Sequence, residues 1–336
     1  MDMLTLTPAP FRRVYGKGYL DFVNRAPELL GILYDRTNRP PKNPSAEAIG
    51  RALQRLNTRP FVKYVADFAP DVVCHTHFLP AEILAHERRR GRLRVPQAVV
   101  VTDFEVHRFW RCPEVDRYFV PREDNRVHLH ALGVPEDRIE VSGIPIHPVF
   151  AITPDRRRLQ RKHAVSAAKP LLLVLCGGFG VGPVEALVRA LLASVGSAQM
   201  VIVAGRNEAL RRRLDRLAAP ARDRVRVLGF TTEMNEWMAL ADLAVTKPGG
   251  LTTSEALALG LPLVVANAIP GQETRNATML FEEGAAISGE NPLTVGPRVA
   301  RLLADRDKLR AMRQAARRLG RPEAARDVAE ALGRLA

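Results

Sequence analysis

Cysteine is scarce. The 336 residues contain three, Cys74, Cys112 and Cys176, far apart and with no CxxC pair. That excludes a disulfide framework and a cysteine zinc cage, and suits a reducing compartment. Aromatic residues make up only 6%. No apolar run approaches the roughly 18–20 residues a membrane helix needs. Residues 1–10 lack the charged and apolar regions of a signal peptide, so the cytoplasm is the expected location. Lysine is nearly missing, with 7 against 43 arginines. What remains is ordinary for a globular protein, with 46% hydrophobic and 26% charged residues. This length predicts two domains, each able to bury a core.

The net charge is +14 and uneven. Residues 1–150 carry 22 basic and 18 acidic side chains, and the remainder carries 28 and 18. The excess concentrates in Arg156–Lys162 and between Arg301 and Arg334. No aromatics interleave with these runs, which argues against a nucleic-acid platform. They read as solvated helix faces or as a basic surface touching an anionic membrane.

Along the chain, the first ~65 residues read as helix and loop, broken by Pro40, Pro41 and Pro44. Short apolar strands then alternate with helical stretches. Strands are expected at Asp71–Cys74, Gln97–Thr102, Tyr118–Val120 and Arg138–Val141. Helices are expected at Pro80–Arg90 and Glu123–Leu132. The proline-rich segment Gly143–Pro148 and the charged stretch Asp155–His163 mark a boundary between domains at 1–150 and 151–336. Five more strands follow, starting at Pro170, Met200, Val225, Leu243 and Pro262, again separated by helical patterns. Such alternation implies parallel sheets covered on both faces. Two units of this kind make a cleft between them the default ligand site.

Several strand ends carry polar chemistry. Cys176-Gly-Gly-Phe-Gly-Val-Gly182 follows a strand and opens a helix. It reads as a phosphate-facing glycine loop or as a tight strand–helix turn. It is neither a dinucleotide GxGxxG nor a P-loop. Thr246-Lys-Pro-Gly-Gly-Leu-Thr-Thr-Ser-Glu255 is the sharpest motif. Gly249 and Gly250 permit close backbone approach to a ligand. Thr252, Thr253 and Ser254 are expected to cap the following helix and to suit a diphosphate there. Glu255, one turn in, could accept from a ribose diol or simply complement the helix dipole. Gln272 and Glu273 pair an amide with a carboxylate, which suits sugar hydroxyls or a loop cap. His75-Thr-His77 offers two metal-type ligands with no third at matching spacing, so a polar strand end is expected there. Asp103, His107 and Trp110 could orient an alcohol and hold an apolar acceptor, or could serve as caps and packing. Asp305-Arg-Asp307 has the form of a DxD metal motif and reads as accidental. No metal and no cofactor are expected.

In order and combination, these segments resemble glycosyltransferase family 28, in its monogalactosyldiacylglycerol synthase and processive diacylglycerol glucosyltransferase branch. The resemblance runs from about Pro70 to Asn276. It rests on Thr102-Asp103 with His107 and Trp110, Gly143-Ile-Pro145, Gly177-Gly178-Phe-Gly180, Gly205-Arg-Asn207, Gly229-Phe230-Thr231, Lys247-Pro-Gly-Gly250, Ser254-Glu255-Ala256, and Gly271-Gln-Glu273 with Asn276. It implies an α/β GT-B fold, two Rossmann-like domains facing a cleft, and an inverting transfer of a hexose from a UDP-sugar to a diacylglycerol-type lipid. By the same analogy, Phe230 and Thr231 lie at the uracil. Gly178, Lys247, Gly249 and Gly250–Thr253 serve the diphosphate side, Glu255 the ribose, and Gln272 and Glu273 the sugar. UDP-galactose, UDP-glucose and UDP-N-acetylglucosamine all remain as donors, acting as co-substrate. Asp103, His107, Trp110, His75 and His77 fall on the acceptor side, on a protein peripheral to the inner face of the membrane. The family begins with a strand and a Gly-rich loop ending in histidine, its proposed base, and nothing here matches them. An incomplete, marginally stable N-terminal domain is therefore expected, with Asp103 or His107 as substitute base. The rivals are a non-catalytic UDP-sugar-binding protein and a UDP-sugar epimerase.

Overall fold

The computed structural model describes residues 1–18, 26–39, 54–177 and 183–336. The chain divides into two units. The first comprises Met1–Pro145, Pro270–Gln272 and Ala324–Ala336. The second comprises Ile146–Ile269 and Glu273–Glu323.

The first unit holds a parallel sheet in the order β1 (Val73–His75), β2 (Gln97–Val100), β3 (Arg117–Val120) and β4 (Ile139–Val141). Helices α1 (Pro27–Thr37), α2 (Arg59–Phe68), α3 (Phe78–Arg89) and α4 (Glu123–Ala131) accompany it. β2 is buried at every position. Alternate residues of a strand face opposite sides, and both sides here are covered. Val99, Tyr118 and Val120 pack with Ala81 and Ala85 of α3 and Leu129 of α4. Ala98, Val100 and Phe119 pack with Val328 and Ala331 of the C-terminal helix Ala324–Leu335. The last helix therefore belongs to the first unit, not to a domain spanning 151–336, and the division after the fourth strand falls at Pro145/Ile146.

The second unit holds six parallel strands in the order β10-β9-β8-β5-β6-β7. In chain order these are β5 (Leu171–Leu175), β6 (Gln199–Val203), β7 (Val225–Leu228), β8 (Leu243–Thr246), β9 (Leu263–Val265) and β10 (Ala286–Ser288). Helices α5 (Arg156–Lys162), α6 (Val184–Ser194), α7 (Glu208–Ala218), α8 (Met234–Leu240), α9 (Gly250–Ala258), α10 (Gln272–Glu282), α11 (Val295–Ala304) and α12 (Arg306–Leu319) connect and cover them. From β5 the chain builds outward to β6 and β7, then returns to β5's other side with β8. Order thus reverses between β5 and β8, the place where open α/β sheets bind ligands beyond their carboxyl ends. The charge run of α5 is anchored rather than merely solvated. Arg156 pairs with Asp242 at 2.9 Å, and Lys162 donates to Glu233 and Glu236 of the α8 region. His163 joins the same cluster, so the Lys162 ammonium already serves as its cation. The DxD stretch is likewise used up: Asp305 caps α12 and Asp307 pairs with Arg310.

α6 and α11 touch closely. A Cβ added at Gly296 would stand 2.4 Å from both the Ala190 carbonyl oxygen and Ser194 Oγ. Gly296→Ala is expected to destabilise by about 1–3 kcal/mol through overpacking. In the open C-terminal helix, Gly333→Ala meets nothing within 4 Å and should gain about 0.5–1 kcal/mol. Urea unfolding of both variants checks the pair. Equal effects would contradict the close α6–α11 contact.

Candidate functional site

Parallel pairing puts every strand's carboxyl end on one edge of the sheet. In the second unit that edge gathers Gly177 after β5, Phe230 and Thr231 after β7, Lys247–Gly250 after β8, and the loop after β9 that leads to Glu273. Gly178 lies outside the described residues.

Gly177 needs its glycine twice over. Its φ is +73°, and an added Cβ would meet Lys247 Cε at 3.3 Å. The Lys247 side chain thus crosses from β8 toward the β5 loop at the point of reversal. Its ammonium donates to Glu273 Oε1 at 3.0 Å, and Glu273 Oε2 accepts from the Ile269 amide at 2.8 Å. Both partners are largely buried, at 21% and 13% side-chain exposure. Two charge-assisted bonds fix the Glu273 carboxylate in orientation as well as charge. Asn276 is fully buried one turn further along α10 and donates from Nδ2 to the Pro248 carbonyl at 3.0 Å. It pins the Lys-Pro-Gly-Gly turn. The sequence marked it only as part of a motif; a buried polar residue one turn past a site carboxylate is the signal that could have found it.

Gly249 is the residue preceding the first turn of α9, in extended backbone with φ −68° and ψ 145°, and no side chain caps the helix. Such a φ suits any residue, so conformation alone does not demand glycine there. Thr252, Thr253 and Ser254 lie inside α9 instead of capping it, because the helix starts at Gly250. Ser254 Oγ donates back to the Gly250 carbonyl at 2.8 Å. Thr253 is fully buried, and its Oγ1 has no hydrogen-bond partner among the described residues. The uncapped N–H groups leave this end of α9 able to receive an anion.

Glu255 is half-buried, and its carboxylate has no hydrogen bond or ion pair among the described residues. Burial pushes its carboxyl up to about 7. Phe230 is 63% exposed, with the Arg206 guanidinium over its ring at 5.1 Å. Thr231 Oγ1 accepts from the Glu233 amide. A flat exposed ring beside a cation can stack a planar base.

In the first unit, His75–His77 follow β1 and Asp103–His107 follow β2. His75 is buried, its Nε2 3.1 Å from Gln97 Oε1, and burial lowers its pKa to about 4. His77 Nδ1 accepts from the Leu79 amide and caps α3, with its ring on Phe78. Trp110, expected on the acceptor side, is 3% exposed and is a core residue against Val106 and Val115. His107 is 4% exposed. Its Nδ1 accepts from the Phe109 amide, and its Nε2 faces the Tyr34 carbonyl at 3.1 Å and Thr37 Oγ1 at 3.3 Å. Both ring nitrogens are engaged, which leaves no basic lone pair for catalysis. Asp103 is 7% exposed and accepts from the Gln272 side-chain amide, which clusters with this unit. Gln272 and Glu273 therefore turn to different partners despite adjacency. Beside β1 lies a groove of about 680 Å³ lined by Tyr64, Phe68, Val72 and His75–His77. No helix of the described residues is long and apolar enough to cross a membrane.

A titration checks the Glu255 environment. Its carboxyl holds a proton to about 7 when folded and to an ordinary 4.5 when unfolded. The folded state thus binds more protons between those values, and stability falls as pH rises through that window. Glu255→Gln removes the ionisation. Its Tm should exceed wild type at pH 8, with the difference vanishing toward pH 4. A difference independent of pH would contradict the desolvated carboxyl.

Comparison with known proteins adds lineage to this geometry. Residues 1–146 match the family model for monogalactosyldiacylglycerol (MGDG) synthase, and residues 169–319 match that for glycosyl transferases group 1. A processive diacylglycerol beta-glucosyltransferase of Bacillus mycoides is 33% identical over 264 residues, covering 78% of this chain and 67% of the relative. That of Bacillus subtilis is 32% identical over 261 residues, covering 77% and 68%. The chain spans about two thirds of these relatives' length. Among solved structures, a putative UDP-N-acetylglucosamine 2-epimerase from Listeria monocytogenes aligns with TM-score 0.61 and 17% identity over 80% of this chain and 75% of that one. MurG of Acinetobacter baumannii aligns at 0.60 and 18%, over 84% and 78%. These structural likenesses, below 25% identity, bear on fold alone, and the fold is GT-B.

Proposed function

This chain belongs to the processive diacylglycerol glucosyltransferase family, and on that premise we propose that it transfers a hexose from a UDP-sugar to a diacylglycerol-type lipid with inversion. The observation that carries the proposal is the Lys247–Gly250 turn at the β5/β8 reversal, which aims the uncapped start of α9 at a common edge with Glu255 and Glu273. A diphosphate on those amides is stabilised as it leaves, by hydrogen bonds and the helix dipole, with no reorganisation during reaction. Thr253's orphan hydroxyl supplies a further donor. Glu255 accepts from the ribose diol, Phe230 stacks the uracil, and Glu273, held by Lys247, accepts from sugar hydroxyls. The donors UDP-glucose, UDP-galactose and UDP-N-acetylglucosamine share all these groups.

The acceptor side belongs to the first unit. The lipid's free hydroxyl oxygen attacks the anomeric carbon, the bond to UDP breaks on the opposite face, and the hydroxyl proton passes to a base. Asp103 is the better candidate, since His107 spends both nitrogens on structure. The apolar groove beside His75 and His77 suits a lipid chain. Acting on such an acceptor, the protein works at the cytoplasmic face of the membrane, peripherally, with no metal or cofactor: backbone donors take the leaving charge.

Calorimetry with UDP-glucose tests the donor reading. Micromolar binding is expected, lost on Glu255→Ala. Because the diol prefers the ionised carboxylate, affinity should be full above pH 7. It should fall below that pH by as much as about tenfold per unit, and stay flat in Glu255→Gln. No binding by folded protein overturns the reading.

Turnover tests the base. With diacylglycerol vesicles and UDP-glucose, Asp103→Asn should reduce kcat by roughly 10²–10⁴-fold, and chelators should leave the rate unchanged. His107→Gln should act mainly through stability. UDP-sugar binding with no turnover under any lipid would instead establish a non-catalytic nucleotide-sugar-binding protein.

A further inference from the structure

We propose that Glu290 is a positioning residue for the Glu273 carboxylate, acting through the loop between β9 and α10. The inference rests on the nucleotide-sugar reading above, in which Glu273 accepts from the sugar. Glu290 is exposed and lies two residues past the end of β10. Three consecutive amides of the loop donate to two carboxylates. Asn267 donates to Glu290 Oε2 and Ala268 to Glu290 Oε1, both at 3.1 Å. Ile269 donates to Glu273 Oε2 at 2.8 Å. One carboxylate thus spans two successive N–H groups, an oxygen to each, and a turn that presents successive N–H groups is an anion seat. No cation pairs with Glu290 among the described residues, so these two amides are what it serves.

The loop needs a holder. Asn267 stands at φ +56°, in the left-handed region that a residue other than glycine enters at a cost. The bonds to Glu290 close on that residue and its neighbour and offset the cost. Gly289 is what brings Glu290 within reach. Its amide donates to the Val265 carbonyl at 2.7 Å. An added Cβ there would stand 2.6 Å from Val264 Cγ1 and 3.2 Å from the Val265 carbonyl oxygen. Glycine therefore lets the exit of β10 lie hard against the end of β9, and the next residue meets the loop that β9 feeds. Glu273 depends on that loop for one of its two anchors. Lys247 holds Oε1, while the amide on Oε2 is only as well directed as the turn that carries it. Loosening the turn swings the Ile269 N–H away and frees the carboxylate to rotate about its last side-chain bond. Hydrogen bonds weaken steeply once misaligned, so a carboxylate no longer aimed at the sugar hydroxyls loses affinity for them. Water can replace the exposed bonds of Glu290 at small net cost, so its removal falls on the geometry of the site and not on folding.

Calorimetry on the full chain compares UDP with UDP-glucose in Glu290→Ala, Glu273→Gln and the double variant. Glu290→Ala is expected to weaken UDP-glucose about 3–10-fold and to leave UDP, which has no sugar, within about twofold. Glu290→Gln keeps one acceptor oxygen and should fall between. The double variant should bind UDP-glucose no more weakly than Glu273→Gln alone, because a residue acting through Glu273 then has nothing left to position. Amide hydrogen exchange supplies a readout without ligand. Ile269 donates to Glu273 and not to Glu290, yet it should exchange at least about threefold faster in Glu290→Ala. Equal losses for UDP and UDP-glucose, additive losses in the double variant, or unchanged Ile269 exchange overturns the assignment. A wild type that binds neither ligand overturns the nucleotide-sugar reading instead, and Ile269 exchange then decides by itself whether Glu290 holds the loop.

Discussion

The pairing of β8 with β5 is the constraint on which the second unit's chemistry depends. The strands run parallel in fixed register, Leu172 with Leu243 and Val174 with Val245, and all four of these side chains are buried. Slipping the register by one residue would turn that apolar set to the other face of the sheet. Because the strand order reverses there, the connections after β5 and β8 leave in opposite directions and open a crevice between them. Lys247, at the end of β8, stands beside the β5 loop and donates to Glu273 beyond β9, and the start of α9 follows it in the chain. Nothing in the local sequence of Thr246–Glu255 could produce this arrangement without the neighbour on the other side of the reversal.

Two carboxylates at this edge show opposite electrostatic treatments. Glu273 is supplied with an ammonium and a backbone amide, so burial costs it little. Glu255 lies one turn into α9 without a partner, and desolvation raises its pKa. Burying an unpaired carboxyl is unfavourable for the empty protein, and a ligand that donates two hydrogen bonds to it recovers that loss on binding. Strain-like penalties of this kind concentrate where a ligand completes the structure. The orphan hydroxyl of Thr253, buried on the same helix, fits the same pattern.

Periodicity and turn residues revealed nine of the ten strands, since each is an apolar run closed by glycine, proline or a polar pair. β10 escaped notice because Ala286–Ser288 lies in Gly284-Ala-Ala-Ile-Ser-Gly289, where Ile287 is the one large apolar side chain. The strand-end loops were readable because a parallel sheet makes its carboxyl edge functional by geometry. Side-chain direction was not. Thr252–Ser254 read as caps, yet the helix starts earlier, since two glycines do not stop it. Asp103, His107 and Trp110 looked alike as a polar cluster after a strand. The structure divides them by burial and partners, which depend on Tyr34, Thr37 and Val115, residues with no sequence signature linking them to the motif.

The C-terminal helix shows how a domain boundary can be misjudged from linear order. Its apolar stripe, Val328 and Ala331 with Leu332 and Leu335, covers the face of β2 and β3 formed by Ala98, Val100 and Phe119. β2 has no exposed residue, so both faces of this strand require a cover, and α3 with α4 supply only one. The first unit thus depends on a segment made after the whole second unit. In chain terms, Ile146–Glu323 is enclosed between two parts of one core, apart from the short return at Pro270–Gln272. A chain ending before Ala324 would uncover Ala98, Val100 and Phe119 on a four-stranded parallel sheet, and all-parallel sheets occur almost only with both faces covered.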